Sequence, residues 1–176
     1  MSVLCDWEIT ALCEASNLVF PFNPDLINPA SIDVTLGNEL MVEVADQKEL
    51  MRIDISDRTE DDPYILMPKE FVLAHTRESF NLPVGLSSQF VLKSSRAREG
   101  YTNALAGWAD PGWHGSKLTL ELNNIRRHWS LPLYPGMKIG QMIFFHMSST
   151  PLHDYSVTGR YNGHGTVMGS ADEETT

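Results

Sequence analysis

Cysteine is scarce in this chain, with two in 176 residues, Cys5 and Cys13. At the rise of an α-helix, residues spaced as these are lie about 12 Å apart along the axis, too far for a disulfide. Both read as small buried or half-buried thiols. Long apolar runs are missing, since nothing approaches the roughly 20 residues of a membrane span. Positive charge is missing from the N-terminus, where Asp6 and Glu8 stand in place of the basic start of a signal peptide. These absences predict a cytoplasmic protein. Basic residues are outnumbered 23 to 13, for a net charge of −10. That balance argues against broad binding to a nucleic acid polymer or an anionic membrane, yet leaves room for a small anion in a local basic pocket. The histidines, at 75, 114, 128, 146, 153 and 164, are scattered, and HExxH, paired CxxC and H-x-E with a later P-C-x-x-C are all lacking. The expectation is therefore no zinc site and no metal held by protein ligands alone. GxSxG, Walker and GxGxxG signatures are lacking too.

What is present fits one globular domain over residues 1–176. Hydrophobic residues at 42% and charged ones at 20% are too apolar for disorder. Residues 3–16 read as one amphipathic helix, with Leu4, Trp7, Ala11, Leu12 and Ala15 at helical spacing. Asn23-Pro24 and Asn28-Pro29 end it, and short strands follow. In Ser31–Gly37 the residues Ile32, Val34 and Leu36 face one side, and Ser31, Asp33 and Thr35 the other. Residues 43–62 are polar and read as a surface excursion touching little of the core. Strands are predicted at Tyr64–Met67, Glu70–Thr76, Ser88–Leu92, Leu118–Asn123, Leu131–Leu133 and Gln141–Met147, separated by Pro/Gly turns. Many short strands with regular turns point to a mainly β sandwich or barrel-like fold. From about 159 to 176 the chain is glycine-rich, with an acidic end, and is expected to be a mobile tail with little to pack against.

Three segments could carry chemistry. Lys93-Ser94-Ser95-Arg96-Ala97-Arg98 gathers two hydroxyls and three cations after a strand. With backbone amides free in a turn it could hold phosphate oxygens, or it is a solvated loop. In Leu118–Asn123 the leucines share the core face, while Thr119, Glu121 and Asn123 share the other. There Glu121 is either a surface residue or a carboxylate walled by sheet, suited to general acid/base work. In Ala106–Trp113 two tryptophans bracket the Asp110-Pro111-Gly112 turn.

Together these residues resemble the deoxycytidine triphosphate deaminases of the trimeric dUTPase-like superfamily. The likeness runs from about residue 27 to residue 164. It includes Asn28–Gly37, Glu70–Ala74, Ser94–Arg98, Ala106–Trp113, Leu118–Asn123, Tyr134–Gln141 and Arg160–Gly163. The resemblance implies a distorted jelly-roll or β-barrel with a short N-terminal helix. It also implies a homotrimer with its sites at subunit interfaces, Mg²⁺ carried by the substrate triphosphate, and no zinc.

The resemblance assigns roles as well. Glu121 would be the catalytic base and acid at cytosine C4, with Ser94, Arg98 and the Ala106 carbonyl orienting the water. Lys93, Ser94, Ser95, Arg96, Ala97 and Arg98 would lie along the phosphates and Asp110 at the deoxyribose. Thr119 and Leu120 would meet the pyrimidine through their backbones. Gln141, Tyr155, Arg160 and His164 would supply the remaining contacts, His164 standing where the family usually has glutamine. The function implied is dCTP deamination to dUTP. The alternatives are a dUTPase, a bifunctional enzyme yielding dUMP, or a non-catalytic nucleotide sensor. Glu121 discriminates, since a pure dUTPase needs no carboxylate beside C4.

Overall fold

The computed structural model describes residues 2–104 and 106–170. The chain opens with helix α1 (Asp6–Ser16), β1 (Val19–Phe20), a 3₁₀ turn at Pro24–Leu26, β2 (Ile27–Asn28), β3 (Ser31–Thr35), β4 (Glu39–Val42) and β5 (Met51–Asp54). It continues through β6 (Tyr64–Leu66), β7 (Phe71–Asn81), β8 (Leu86–Leu92), helix α2 (Ser94–Glu99), β9 (Tyr101–Asn103) and β10 (Trp108–Ala109). The long β11 (His114–Asn124), then β12 (Leu131–Leu133), β13 (Lys138–His146) and the one-turn helix α3 (Tyr155–Thr158) complete it.

The mainly β expectation holds, with strands arranged as two sheets and a β6–β12 ribbon. One sheet runs β5-β4-β7-β11-β9, with β1 also on β7, and the other runs β10-β8-β13-β3-β2. The pairings among the described residues do not close into a barrel. Leu40, Val72, Leu120 and Leu122 from the first sheet meet Ile32, Val34, Phe90 and Phe144 from the second in one core. Each such side chain contributes about 1.5–3 kcal/mol by leaving water. Glu78 ties the sheets together, its carboxylate accepting from Thr35 N at 2.9 Å and Thr35 Oγ1 at 2.7 Å.

Three local expectations need correction. Helix α1 starts at Asp6, where Glu8 reaches back to the Cys5 N–H at 2.9 Å. It buries Ile9 and Cys13, whereas Trp7 is 69% exposed. Its small, widely spaced apolar residues fit two phases of the same periodicity, and only the packing surface selects one. On β3 both faces are covered, Ser31, Asp33 and Thr35 being buried as well as Ile32 and Val34. Residues 43–62 contain β5, and Ile55 joins the core. The cationic segment after β8 is a helical turn, not a loop.

Candidate active site

The alternation read in Leu118–Asn123 sets the site. On β11 the residues Leu118, Leu120 and Leu122 point into the core, while Lys117, Thr119, Glu121 and Asn123 are half-buried on the opposite face. That face forms one wall of a cleft of about 660 Å³. Six of the expected residues line it: Ala106, Asp110, Thr119, Glu121, Tyr155 and His164.

Asp110 is held by its turn. Trp113 N–H closes back on the Asp110 carbonyl at 3.2 Å, and Gly112 takes φ 87°, a left-handed conformation that glycine adopts without cost. Trp108 then donates its indole N–H to Asp110 Oδ1 at 3.0 Å. The two tryptophans divide the work. Trp113 is buried and stacks on Phe80 at 5.6 Å, whereas Trp108 is 48% exposed on the cleft and stacks on Phe145 at 5.9 Å.

Glu121 is half-buried, and its described side-chain partner is the Asn103 amide, 3.5 Å from Oε2. Burial pushes the carboxyl above its ordinary range, and the Asn103 contact only partly opposes this. Neighbouring backbone contacts bracket Thr119 on β11. Lys117 N–H donates to His164 O at 2.9 Å, and the Glu121 carbonyl accepts from Ala104 N at 3.1 Å. Between them, on the edge facing away from β7, the Thr119 N–H and C=O make no hydrogen bond among the described residues. This edge offers one donor and one acceptor to the cleft.

The segment from 159 to 170 has far more to pack against than composition suggests. Tyr161 O accepts from Trp113 Nε1 at 2.9 Å and from Ser116 Oγ at 2.6 Å. Met168 N–H donates to Thr119 Oγ1 at 3.3 Å, Val167 is fully buried, and Arg52 holds the Val167 carbonyl at 2.9 Å. The side chains of Trp113, Ser116, Thr119 and Arg52 supply what a glycine-rich sequence could not announce. The last part of the expected mobile tail, residues 171–176, lies outside the described residues.

The other expected residues lie elsewhere. Ser94, Ser95, Ala97 and Arg98 are exposed on α2. Lys93 Nζ grips both Asp33 oxygens at 2.6 Å, with Lys138 at 3.5 Å. Burial alone would raise the Asp33 carboxyl, but Lys93, Asn28 and Lys138 outweigh it and hold the pKa below the ordinary value. Arg96 bonds Glu99 at 2.8 Å and the Lys138 carbonyl at 3.0 Å. Gln141 accepts from Ser31 Oγ at 2.8 Å, the Leu120 side chain is in the core, and Arg160 is exposed with its carbonyl 3.2 Å from His164 Nε2. None of Lys93–Arg98, Leu120, Gln141 or Arg160 lines the cleft. Within one chain the expected residues thus fall into a cleft group around Glu121 and a separate cationic group on α2. Sequence reading passed over Asn103, Trp108 and Lys117. Trp108 was in view as a turn aromatic, and Lys117 shares the alternation of Thr119 and Glu121, but no local pattern singles out Asn103.

The chain is similar to known proteins along most of its length. A family profile described as "dCTP deaminase-like" matches residues 3–147. A protein of a Nocardioides species named "dCTP deaminase, dUMP-forming" is 39% identical over 178 residues, covering 92% of this chain and 90% of the relative. The protein of the same name from Acidothermus cellulolyticus is 40% identical, with the same coverage. Among solved structures, the 2'-deoxycytidine 5'-triphosphate deaminase of Agrobacterium tumefaciens superposes with a TM-score of 0.67 at 21% identity. That likeness covers 82% of this chain and 48% of the Agrobacterium one, about half its length, and speaks to the fold.

Proposed function

This chain belongs to the dCTP deaminase-like family, and we propose from that membership that it hydrolyses the C4 amino group of dCTP and goes on to release dUMP. The observation that carries the reading is the Glu121 carboxylate, half-buried on the cleft wall beside the Thr119 edge, which has no backbone partner among the described residues. The edge receives the pyrimidine. Ionised Glu121 takes a proton from a water as its oxygen attacks C4. The same carboxyl passes that proton to N3, then takes the proton of the hydroxyl now on C4 and gives it to the amine, so the C4 carbonyl forms, the C4–N bond breaks and ammonia leaves. Asp110, steadied by Trp108, sits at the sugar.

Sequence reading put dUTP first as product. The names of the relatives favour the alternative, in which a second water attacks the α-phosphorus and pyrophosphate leaves. The overall balance is dCTP plus two waters to dUMP, ammonia and pyrophosphate. The experiment is to incubate the protein with dCTP and Mg²⁺ and assay ammonia and pyrophosphate separately. Equal yields of both are expected. Ammonia without pyrophosphate would mean dUTP is the product, and neither would overturn the reading.

Triphosphate binding needs cations, and α2 presents one at its surface. There Arg98 is exposed and makes no hydrogen bond or ion pair among the described residues. We therefore assign the working enzyme as a cytoplasmic homotrimer in which α2 of one subunit faces the Glu121 cleft of another, with Ser94 and Arg98 beside the reacting water and Lys93 to Arg96 along the phosphates. Among the described residues no three His, Cys, Asp or Glu side chains gather in a way that could hold a metal ion. Mg²⁺ would be carried by the substrate phosphates. When bound it neutralises phosphate charge.

A pH dependence follows. A base works only when ionised, and burial has raised the Glu121 pKa above 4.5. Deamination is therefore lost as pH falls through the Glu121 pKa of the assembled site. Burial and the Arg98 cation placed beside Glu121 act in opposite directions, so removing the cation in Arg98→Ala is expected to move the acid limb of the residual kcat/KM to higher pH. A limb that stays put or moves to lower pH would contradict this placement.

A further inference from the structure

Beside the cleft, β7 and β11 fall out of step. Ser79 pairs with Lys117 and His75 pairs with Thr119, so Thr76, Arg77 and Glu78 all stand opposite Leu118. A bulge of this size removes the backbone carbonyl that would take the Leu118 N–H. The Thr76 hydroxyl replaces it, with Leu118 N–H donating to Thr76 Oγ1 at 3.0 Å. The same hydroxyl donates onward to the Glu78 carbonyl at 2.7 Å. Thr76 is fully buried, and the Glu78 carboxylate is turned away to Thr35 in the other sheet. One side-chain oxygen therefore closes both gaps that the bulge opens.

The position matters because the next residue of β11 is Thr119, which lines the cleft and whose outer edge has no backbone partner among the described residues, and Glu121 follows two further on. We propose that Thr76 is a positioning residue for the deamination. By anchoring Leu118 it fixes the height and phase of β11, and so places the Thr119 edge and the Glu121 carboxylate together. Bulges beside active sites commonly re-aim side chains in this way. Without the hydroxyl, the buried Leu118 N–H finds a partner only if β11 shifts against β7, and a one-residue slip would turn Glu121 into the core. Misplacement of a reacting group by even 1 Å can cost about 10²-fold in rate. Valine has the shape of threonine without the oxygen, and serine keeps the oxygen.

This inference rests on Glu121 being the catalytic carboxylate. In Thr76→Val, kcat for ammonia release is expected to fall by about tenfold or more. KM for dCTP should rise less, because the phosphate contacts lie on α2 and are untouched. Thr76→Ser should return kcat to within about threefold of wild type, since it restores the same hydrogen bonds. A purely structural role would lower Tm and leave kcat unchanged at temperatures where the variant is folded. Thr76→Val with wild-type kcat, beside an inactive Glu121→Gln, would overturn the positioning role alone. An active Glu121→Gln would instead overturn the reading on which it rests. Should Thr76→Val not fold, amide hydrogen exchange in the wild-type protein decides. Leu118 is expected to be protected like Leu120 and Leu122, and exchange at the rate of a surface-loop amide would sink the proposal.

Discussion

Glu121→Gln is expected to abolish ammonia release while leaving the protein folded. Gln matches Glu in shape, and the half-buried Glu121 side chain is bonded among the described residues to the Asn103 amide, so little packing changes. The lost ability is specific, because a carboxamide can neither take the proton from water nor deliver it to N3 and the leaving amine. Losing a general acid or base costs about 10²–10⁴-fold, and a group that handles several protons in one cycle belongs toward the upper end. The measurement is kcat for ammonia, with thermal melting as the control for folding. Activity within about threefold of wild type would remove Glu121 from the mechanism and with it the present functional reading.

Mixing two inactive variants should restore activity. The cleft group and the α2 group occupy different surfaces of one chain, with Glu121 in the cleft and Arg98 exposed outside it. In a cyclic trimer with heterologous interfaces, each site would take Glu121 from one subunit and Arg98 from the next. Arg98→Ala and Glu121→Gln homotrimers should each be nearly inactive. After co-refolding in equal amounts, chance pairing makes about one site in four fully wild type, so about a quarter of wild-type activity should return. A mixture no more active than its parents would show that the two groups do not meet across an interface, and it would end the trimer assignment in its present form.

How much of this was legible beforehand differs by element. The phase of β11 was plain, because Leu118, Leu120 and Leu122 alternate with Thr119 and Glu121, and side chains on a strand alternate whatever the rest of the fold does. The Asp110-Pro111-Gly112 turn was equally local. Helix α1 was legible as a helix but not in its buried face. Strand β5 was missed because its alternation, Met51 and Ile53 against Arg52 and Asp54, spans only four residues inside a polar, charged stretch. It exists because β4 offers it a ladder.

By itself the sequence determined the strand-rich class, the core face of β11 and the presence of one carboxylate opposite that face, all consequences of short-range periodicity. Tertiary structure decided whether that face was solvent or cleft, since the other walls come from Trp108, Tyr155 and the segment ending at Ser170. It also decided that Lys93 spends its charge on Asp33, sixty positions away, while Arg98 stays free of described partners. The register break that leaves Leu118 to Thr76 belongs to the same class. Such contacts join residues far apart in the chain, and their formation depends on which strands pair and in what register. Each local stretch fixes only its own alternation; register, and with it the site, is set when the sheets assemble around their common core.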